Sequence, residues 1–281
     1  MCVLLGMALV APWAMAPAIV RQLAEPDRTS AYFFDVGQGD SSALMLAANG
    51  TAAVFMIDAG PKNGKAAGAL DGIMPPFRRR IDVLFLTHPN LDHYGGVKEV
   101  VGRYDVGLVA TNGRSADGPE WEGTIDAIRR ARIPIIALGA GDMVAFGSSA
   151  MNIVSPTPEF RDGPADNDSS LVVRADTPGM SLLFTGDIGP AAERFLRDRI
   201  GHADVLKVPH HGSRFSSTAD FLATVSPRIG VIEVGRNSYG HPTDDALHRL
   251  AAADIRTYRT DIDGTVTVTV NGGVMRVYKT K

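Results

Sequence analysis

From Ala31 to the end of the chain, short apolar runs typical of β-strands alternate with segments that have the periodicity of α-helices. Short apolar runs bounded by Gly, Pro, Asp and Asn predict β-strands. These runs are AYFFDV, SALMLA, AAVFMID, IDVLFLT, VGLVAT, IPIIAL, SLVVRA, SLLFTG, DVLKV, IGVIEV, IRTYR, TVTVTV and VMRVYK. Helical periodicity predicts helices over Leu91–Arg103, Glu120–Ala131, Pro190–Ile200, Thr218–Val225 and Asp244–Ala253. The alternation indicates a mixed α/β protein with much antiparallel sheet.

The first 30 residues follow a different pattern. Residues 2–20 contain no charged side chain and are just long enough to cross a bilayer. We expect a membrane-anchoring segment or the remnant of a membrane region there. A signal peptide is the alternative, although no Lys or Arg precedes the apolar run. Residues 21–30 are typical of a polar linker, and no similar stretch divides residues 31–281, which we predict to form one domain.

Composition narrows the chemistry that this domain can perform. Hydrophobic residues make up 45% and charged residues 21% of the 281 residues, as in ordinary globular proteins. The net charge of −3 excludes a global basic field for nucleic acid, so such a substrate would need a local patch or metal ions. Cys2 is the one cysteine of the chain, which excludes an intrachain disulfide and a thiolate metal cluster. Any metal must therefore be held by His, Asp and Asn.

Three metal-binding side chains follow the predicted strand IDVLFLT, within the stretch THPNLDHYGG. His88 stands at the strand end, while Asp92 and His93 begin the next predicted helix, so all three can face one cleft. Imidazole and carboxylate together suit a divalent cation such as zinc or manganese. The alternative interpretation is a helix-capping aspartate beside two histidines with structural roles.

Other strand ends carry similar groups. Asp58 ends AAVFMID and can orient a metal ligand from behind. Asp187 ends SLLFTGD, where a carboxylate can bridge two cations or cap the next helix. His210 and His211 end DVLKVPHHGS, where one can bind a metal while the other contacts substrate. Lys207, just before them, either neutralises a phosphate or alternates outward on its strand.

Three loops add further polar groups. Asp35 and Asp40 surround the two glycines of FFDVGQGDS, which let the backbone approach a site closely or simply form a tight turn. The stretch NDSSLVV offers Asn167 and Asp168 as oxygen ligands or hydrogen-bonding groups. The loop GRNSYGHP adds His241, which can serve either a metal or a substrate.

Taken in order, these motifs resemble the metallo-β-lactamase superfamily and, within it, the C-terminal hydrolase domain of the ComEC/Rec2 competence proteins. The matching stretches are FFDVGQGDS, MIDAG, LTHPNLDHYGG, NDSSLVV, LLFTGD, DVLKVPHHGS and GRNSYGHP. The resemblance implies an αββα sandwich of two mixed sheets flanked by helices, with a metal cleft at the sheet edge. It also implies a hydrolase that activates water on one or two divalent metal ions, zinc or manganese, with magnesium as a further candidate.

The resemblance assigns roles to individual residues of this sequence. The implied metal ligands are His88, Asp92, His93, Asp187 and His211. Asp58 is the implied supporting aspartate, and His210 is implied to assist the substrate. From their loop we also predict supporting roles for Asp35 and Asp40. Asp92 or Asp187 would accept the proton of the metal-activated water, and Lys207 would stabilise charge on a phosphodiester.

One departure from the superfamily pattern lies inside the first motif. Relatives have HxHxDH, whereas this chain has HxNxDH with Asn90 at the second position. Asn167 or Asp168 stands where other branches have a histidine. We infer an oxygen-rich and weaker first site, which suits Mn²⁺ or Mg²⁺ better than Zn²⁺. Asn90 can instead contact a water or the substrate.

Three functions remain open at the level of sequence. The first is a metal-dependent phosphodiesterase or nuclease linked to DNA uptake, acting on single-stranded DNA or another phosphodiester. The second is a metallohydrolase for a small ester, amide or choline-type substrate, and the third is a degenerate binding module. The apolar segment and the resemblance together predict a membrane-associated or exported protein of the bacterial cell envelope.

Overall fold

The computed structural model describes residues 29–281 except residues 49, 76 and 165. The predicted membrane or signal segment, residues 2–20, lies outside the described residues. Thr29 and Ser30, which we expected in the linker, are buried residues of the first strand, so the predicted domain boundary at residue 31 is wrong by two residues. Among the described residues, no helix combines the length and the apolar character needed to cross a bilayer.

Seventeen strands are described within residues 29–281. They are β1 (Thr29–Phe33), β2 (Ser42–Ala48), β3 (Thr51–Ile57), β4 (Arg80–Ile81), β5 (Val83–Leu86), β6 (Asp105–Val106), β7 (Val109–Thr111), β8 (Ile135–Ala137), β9 (Met143–Phe146), β10 (Ser149–Ser155), β11 (Val172–Thr177), β12 (Met180–Phe184), β13 (Val205–Lys207), β14 (Ile229–Ile232), β15 (Arg256–Arg259), β16 (Val266–Asn271) and β17 (Val274–Lys279).

Nine α-helices are described in the same part of the chain. They are α1 (Lys65–Ile73), α2 (Leu91–Tyr94), α3 (Val97–Arg103), α4 (Pro119–Arg130), α5 (Pro158–Arg161), α6 (Pro190–Ile200), α7 (Ala219–Val225), α8 (Asp244–Ala252) and α9 (Thr260–Asp263). Short 3-10 turns occupy Asn167–Ser169 and Pro209–Gly212.

Two mixed sheets contain most of the strands. The first has the order β17-β16-β1-β2-β3-β5-β7-β8, and the second has the order β15-β14-β13-β12-β11-β10-β9. In the first sheet β3, β5, β7 and β8 run parallel, and in the second β12 to β15 do. A separate parallel pair joins β4 to β6.

Side-chain alternation along the strands explains how the sheets pack. In β1, Ala31 and Phe33 face the core between the two sheets, whereas Tyr32 faces the core beneath the helices of the first sheet. In β13, Val205 faces the inter-sheet core and Leu206 the core beneath the helices of the second sheet. Strands with both faces buried need apolar residues at every position. The three cores lie between four layers, in the order helices, sheet, sheet, helices. The predicted αββα sandwich is therefore confirmed.

The sheet layout also decides where functional groups meet. The parallel strands β3 and β5 end at the same edge of the first sheet, and β12, β13 and β14 end together in the second. Loops at the carboxyl ends of parallel strands are the usual place for a site. Both sets of loops bring the predicted polar residues to one seam between the sheets.

Candidate metal centre

Four side chains form the centre of the site. They are Asp92, His93, Asp187 and His211, and each offers one ligand atom within 4.8 Å of the others. Nε2 of His93 lies 3.3 Å from Oδ2 of Asp187, and Nε2 of His211 lies 3.5 Å from the same oxygen. Asp92 approaches His211 Nε2 at 3.3 Å through its Oδ2. The carboxylate of Asp187 is therefore central to the group.

His88 lies beside this group. Its ring centroid is 4.1 Å from that of His93, and its Nε2 is 4.0 Å from Oδ2 of Asp187. All five predicted metal ligands are thus brought together at one place in the structure. Apart from Asp92, whose side chain is about one-third exposed, they are almost fully buried.

A partner on Nδ1 fixes the orientation of each of the three buried imidazoles. Nδ1 of His93 lies 2.8 Å from Oδ2 of Asp58, and Nδ1 of His211 donates to the carbonyl oxygen of Glu233 at 2.8 Å. Nδ1 of His88 lies 3.0 Å from Oγ1 of Thr87. Partners of this kind fix a metal-ligating imidazole and make it more basic. The prediction that Asp58 supports a ligand agrees with this geometry.

The opposite nitrogen of each ring fits a cation. Among the described residues, Nε2 of His88, His93 and His211 has no hydrogen-bond partner, and neither has Oδ1 of Asp187. Buried polar atoms without partners are rare because they lose free energy of hydration. Three imidazole nitrogens and a carboxylate aimed at one place are the ligands of a divalent metal. The residues present therefore fit a metal ion, with Asp92, His93, Asp187 and His211 as the more complete ligand set.

The charged side chains of the group shift one another's pKa values. Burial lowers the pKa of His93 and His211, but Asp187 and the other nearby carboxylates outweigh it and raise both pKa values well above the ordinary value. Burial raises the pKa of Asp187, but these two histidines hold it well below its usual range. Burial and the charge of His93 lower the pKa of His88 to about 3, so this ring is neutral. The raised pKa values of His93 and His211 and the lowered pKa of Asp187 thus share one cause, the close approach of these imidazoles to buried carboxylates.

Asn90 and Asn167, which we predicted at a weaker first metal site, lie together in the structure. Nδ2 of Asn90 donates to Oδ1 of Asn167 at 3.2 Å, and Nδ2 of Asn167 lies 3.5 Å from the ring of His210. The two asparagines therefore bond to each other beside His88. This geometry favours Asn167 over Asp168 as the residue at the position of the missing histidine.

His210 and His241 line the open side of the cleft. The side chain of His210 is 30% exposed, with Nε2 3.9 Å from Oδ2 of Asp187, and the ring of His241 lies 5.4 Å from that of His210. His210 and His211 both have positive φ angles, 51° and 52°, which non-glycine residues rarely adopt. This backbone aims adjacent histidines at different places, one into the metal group and one toward the cleft. Both His210 and His241 therefore border the metal group on its open side.

A second charged group lies behind the centre. The Asp40 carboxylate forms an ion pair with the ammonium group of Lys207, which also donates to the carbonyl oxygen of Gly186 at 3.0 Å. Oδ1 of Asp40 lies 3.2 Å from Nδ1 of His211, in agreement with its predicted supporting role. Lys207 is only 2% exposed, so the structure contradicts its predicted contact with a substrate phosphate. Its charge instead balances the buried carboxylates.

Two other predicted site residues lie elsewhere. Asp35 pairs with Lys281 at 2.6 Å and its backbone bonds to Thr265, so it does not support the metal group. Asp168 accepts a hydrogen bond from the backbone of Gly189 at 2.7 Å and orders the loop before α6. The structure thus gives both carboxylates partners outside the metal group. Short polar loops look alike in sequence, and the fold decides which way each carboxylate turns.

Close backbone packing accompanies the site. Gly39 has a φ of +135°, and a Cβ there would overlap the carbonyl oxygen of Asp92. The neighbouring Asp40 backbone donates to that same oxygen at 3.1 Å. Only glycine permits this approach, as the motif FFDVGQGDS predicted.

Sequence reasoning missed Glu233. This residue follows β14 and is fully buried; its carboxylate accepts hydrogen bonds from the backbone of Ser41 and from Oγ of Ser42, both at 2.9 Å. Its carbonyl oxygen also orients His211. The signal that could have found it is a lone acidic residue inside the apolar run IGVIEV, since buried carboxylates are rare without partners.

Comparisons with known proteins agree with the fold described above. A family profile described as the metallo-beta-lactamase superfamily matches residues 36–235. The chain belongs to the metallo-beta-lactamase superfamily. A solved structure of the metallo-beta-lactamase fold protein YhfI from Bacillus subtilis aligns with a TM-score of 0.56 at 10% identity, covering 87% of this chain and all of that one. This likeness shows a shared fold.

Two relatives confirm the resemblance to competence proteins. The chain is 32% identical over 191 residues to ComE operon protein 3 of Bacillus subtilis, covering 67% of this chain and 24% of that protein. It is 31% identical over 287 residues to Competence protein ComA of Neisseria gonorrhoeae, covering 95% of this chain and 38% of that protein. The chain therefore spans well under half the length of these relatives. Superfamily membership and the histidine–aspartate cluster make it a metal-dependent hydrolase.

Proposed function

We propose that this chain is a nuclease that hydrolyses phosphodiester bonds in single-stranded DNA during DNA uptake. The observation that carries the proposal is the convergence of imidazole Nε2 atoms and carboxylates on one seam in a chain whose relatives are named competence proteins. Hydrolysis of a phosphodiester passes through a negatively charged transition state, and metal ions are the usual means of stabilising that charge.

The residues of the metal centre have different roles in this proposal. One cation would be held by Asp92, His93, Asp187 and His211. A second cation would bind more weakly at a site that includes His88 and Asp187. A bound divalent cation supplies Lewis acidity and lowers the pKa of a coordinated water. Asp58 and the carbonyl oxygen of Glu233 keep the imidazoles oriented so that their Nε2 atoms stay available.

Proton transfer is better suited to His210 than to Asp92. Although burial raises the pKa of Asp92, the charges of His93 and His211 lower it below its usual range, so this carboxylate is a weak base. Burial lowers the pKa of His210, which keeps its imidazole neutral near pH 7. A neutral imidazole at the cleft mouth can accept a proton or pass one to the leaving oxygen. His210 also remains exposed enough to touch substrate.

An assay with purified full-length protein tests this function. A single-stranded oligonucleotide and bis(p-nitrophenyl) phosphate are incubated with Mn²⁺, Mg²⁺ and Zn²⁺ in turn, beside p-nitrophenyl acetate as a simple ester. We expect cleavage of the two phosphodiesters with at least one metal and none in EDTA. Ester hydrolysis without phosphodiester cleavage would favour the small-ester alternative. Inactivity on all three would favour a binding module.

We also propose a cell-envelope location. The names of the competence relatives support it, and residues 2–20 carry the apolar run on which membrane association would depend. Fractionation of cells expressing the full chain, and the chain without residues 2–20, tests this proposal. Recovery of the full chain in the cytosolic fraction would contradict it, and membrane recovery of the chain without residues 2–20 would show that this apolar run is not needed.

A further inference from the structure

Two aromatic side chains on loops next to the metal centre are largely exposed. Phe215 is 71% exposed and Tyr239 is 72% exposed. Single exposed aromatic residues are ordinary on a protein surface. These two differ because each stands on a loop that contributes a histidine to the site, and because both loops are firmly held.

Tyr239 is held through Asn237. The side-chain oxygen of Asn237 accepts from the backbone of Tyr239 and of His241, both at 3.0 Å, while its amide donates to the carbonyl oxygens of Gly235 and His241, both at 2.8 Å. The Tyr239 ring lies 5.8 Å from the His241 ring with an interplanar angle of 31°, and the His241 ring lies 6.5 Å from that of His211. A row of rings thus leads from solvent to a metal ligand.

Phe215 is held through Arg249 on α8. The guanidinium group of Arg249 donates to the carbonyl oxygens of Arg214, Ser216 and Ser217 at distances of 2.7–3.0 Å. The carboxylate of Glu193 accepts from the backbone of Thr218 at 2.9 Å. The loop is therefore ordered while the Phe215 ring stays in water, four residues beyond the ligand His211.

The two loops are joined to each other. The backbone of Thr243, just after the Tyr239 loop, donates to the carbonyl oxygen of Gly212 at 2.9 Å. Gly212 packs so closely on Pro242 that a Cβ there would overlap it. Phe215 and Tyr239 therefore belong to one connected rim beside His210 and His211.

Arginines accompany both aromatic residues. Arg214 and Arg236 are exposed, and within the part of the chain that the structure describes no carboxylate forms an ion pair with either. By contrast, Arg78, Arg79 and Arg80, the most basic run of the sequence, pair with Asp71, Asp82 and Asp105. In a chain with a net charge of −3, the exposed guanidinium groups of Arg214 and Arg236 give this rim a local positive charge that suits phosphate groups.

We propose that Phe215 and Tyr239 form a stacking platform for unpaired bases that flank the scissile phosphate, with Arg214 and Arg236 binding the neighbouring phosphates. This inference rests on the proposed nuclease function and names how the substrate is recognised. Aromatic faces bind bases regardless of sequence, and in a duplex those base faces are already stacked. The platform therefore selects single strands without selecting a sequence.

The test measures stacking separately from charge and from catalysis. A fluorescein-labelled dT20 and an otherwise identical 20-mer made of abasic sites have the same backbone charge, and their affinities for the full-length protein are compared by anisotropy in EDTA. We expect wild type to prefer dT20. Phe215→Ala and Tyr239→Ala should each reduce that preference about 5- to 100-fold, in line with the stacking contribution of one base. Tyr239→Phe should retain it, since the ring remains.

Matched controls come from the far side of the molecule. Phe77 is 72% exposed and precedes Arg78, whose guanidinium bonds to Ala52 at the opposite end of the first sheet from the site. Phe77→Ala should leave both affinities unchanged. Equal affinity of wild type for the two oligonucleotides, or an unchanged preference in both alanine variants with wild-type melting temperatures, would overturn the platform. The absence of phosphodiester cleavage would overturn the nuclease function while leaving this binding result intact.

Discussion

At the scale of single residues, the two nitrogen atoms of each imidazole have different roles in the site. Nδ1 of His93 and of His211 bonds to Asp58 or to a backbone oxygen, and the same atom of His88 lies against Thr87. With Nδ1 held in this way, the Nε2 atom of each ring points toward Asp187. Rings held in this way bind a metal without a further loss of side-chain entropy.

Asp187 is the residue whose loss should be most severe. Asp187→Ala removes the oxygen that approaches His93 and His211 and leaves two buried imidazoles without their common partner. We expect loss of bound metal and at least a roughly 100-fold fall in kcat/KM. Metal content by elemental analysis and steady-state rates check this. Asp198→Ala, at a carboxylate 83% exposed on α6, is the control; retained metal and turnover in Asp187→Ala would contradict the bridging role.

Metal binding should release protons. Carboxylates raise the pKa of His93 and His211 well above 6.5, so both rings carry a proton near neutral pH and must lose it to bind a cation. His88, with a pKa of about 3, has no proton to lose. We therefore expect affinity to rise as the pH increases from 6 to 8. Calorimetric titrations in two buffers of different ionisation enthalpy measure the protons released; heats independent of buffer would contradict the prediction.

Asn90→His tests the weakened first site. The substitution breaks the bond to Asn167 and places an imidazole two residues after His88, as in relatives with HxHxDH. If Asn90 faces the metal, affinity for a second Zn²⁺ should rise about 10- to 100-fold, the size of effect that supporting groups have on metal sites. Zinc titration of wild type and variant measures it. Unchanged stoichiometry and affinity would mean that Asn90 serves the substrate or a water.

At the scale of elements, Glu233 joins the two sheets. It follows β14 of the second sheet, and its carboxylate bonds to Ser41 and Ser42 at the start of β2 in the first sheet. Burial and the charge of Asp40 raise the pKa of Glu233 to about 8, although Lys207 opposes them. The folded protein therefore binds this proton more tightly than the unfolded chain does.

Glu233→Gln and Glu233→Ala should differ sharply. The contribution of a protonated Glu233 to stability is full below pH 4.5 and is lost as the pH rises to about 8. Glutamine does not titrate, so the stability of Glu233→Gln relative to wild type should increase from pH 5 to pH 8. Glu233→Ala leaves Ser41 and Ser42 unpaired beside a cavity and should cost about 3 kcal/mol. Denaturant unfolding at several pH values checks both; a constant difference between wild type and Glu233→Gln would contradict the raised pKa.

The elements show what sequence pattern can predict. Helix α6 was predicted with its observed ends because Pro190 starts it and glycine follows it, whereas the single predicted helix Leu91–Arg103 is two helices, α2 and α3, separated at Gly95 and Gly96. A Cβ on either glycine would overlap backbone of residues 59–62, so tertiary contacts, absent from any local pattern, decide the break. Helix α1 was missed because Gly68 and Gly72 weaken its helical signal.

At the scale of the whole molecule, the site belongs to neither half alone. His88 and His93 come from the first sheet and its loops, and Asp187 and His211 from the second. The five candidate ligands implied by the family resemblance lie together in the structure, since the loops that carry them meet at one seam. The sequence did not separate Asp58 and Asp40 from Asp35, or Asn167 from Asp168, because the direction of a loop carboxylate depends on packing between sheets that are distant in sequence.

The position of β1 gives a final prediction about the whole domain. Thr29 pairs with Val270 and Leu46, and Ser30 with Thr269 and Met45, so the strand is central and both residues are buried. A chain starting at Thr29 should unfold cooperatively and keep its metal site. A chain starting at Ala31 lacks these two rungs of the sheet and should lose about 2 kcal/mol, or ~5 °C in Tm. Thermal unfolding of the two truncated chains measures the difference, and equal Tm values would show that the edge of this domain lies after Ser30.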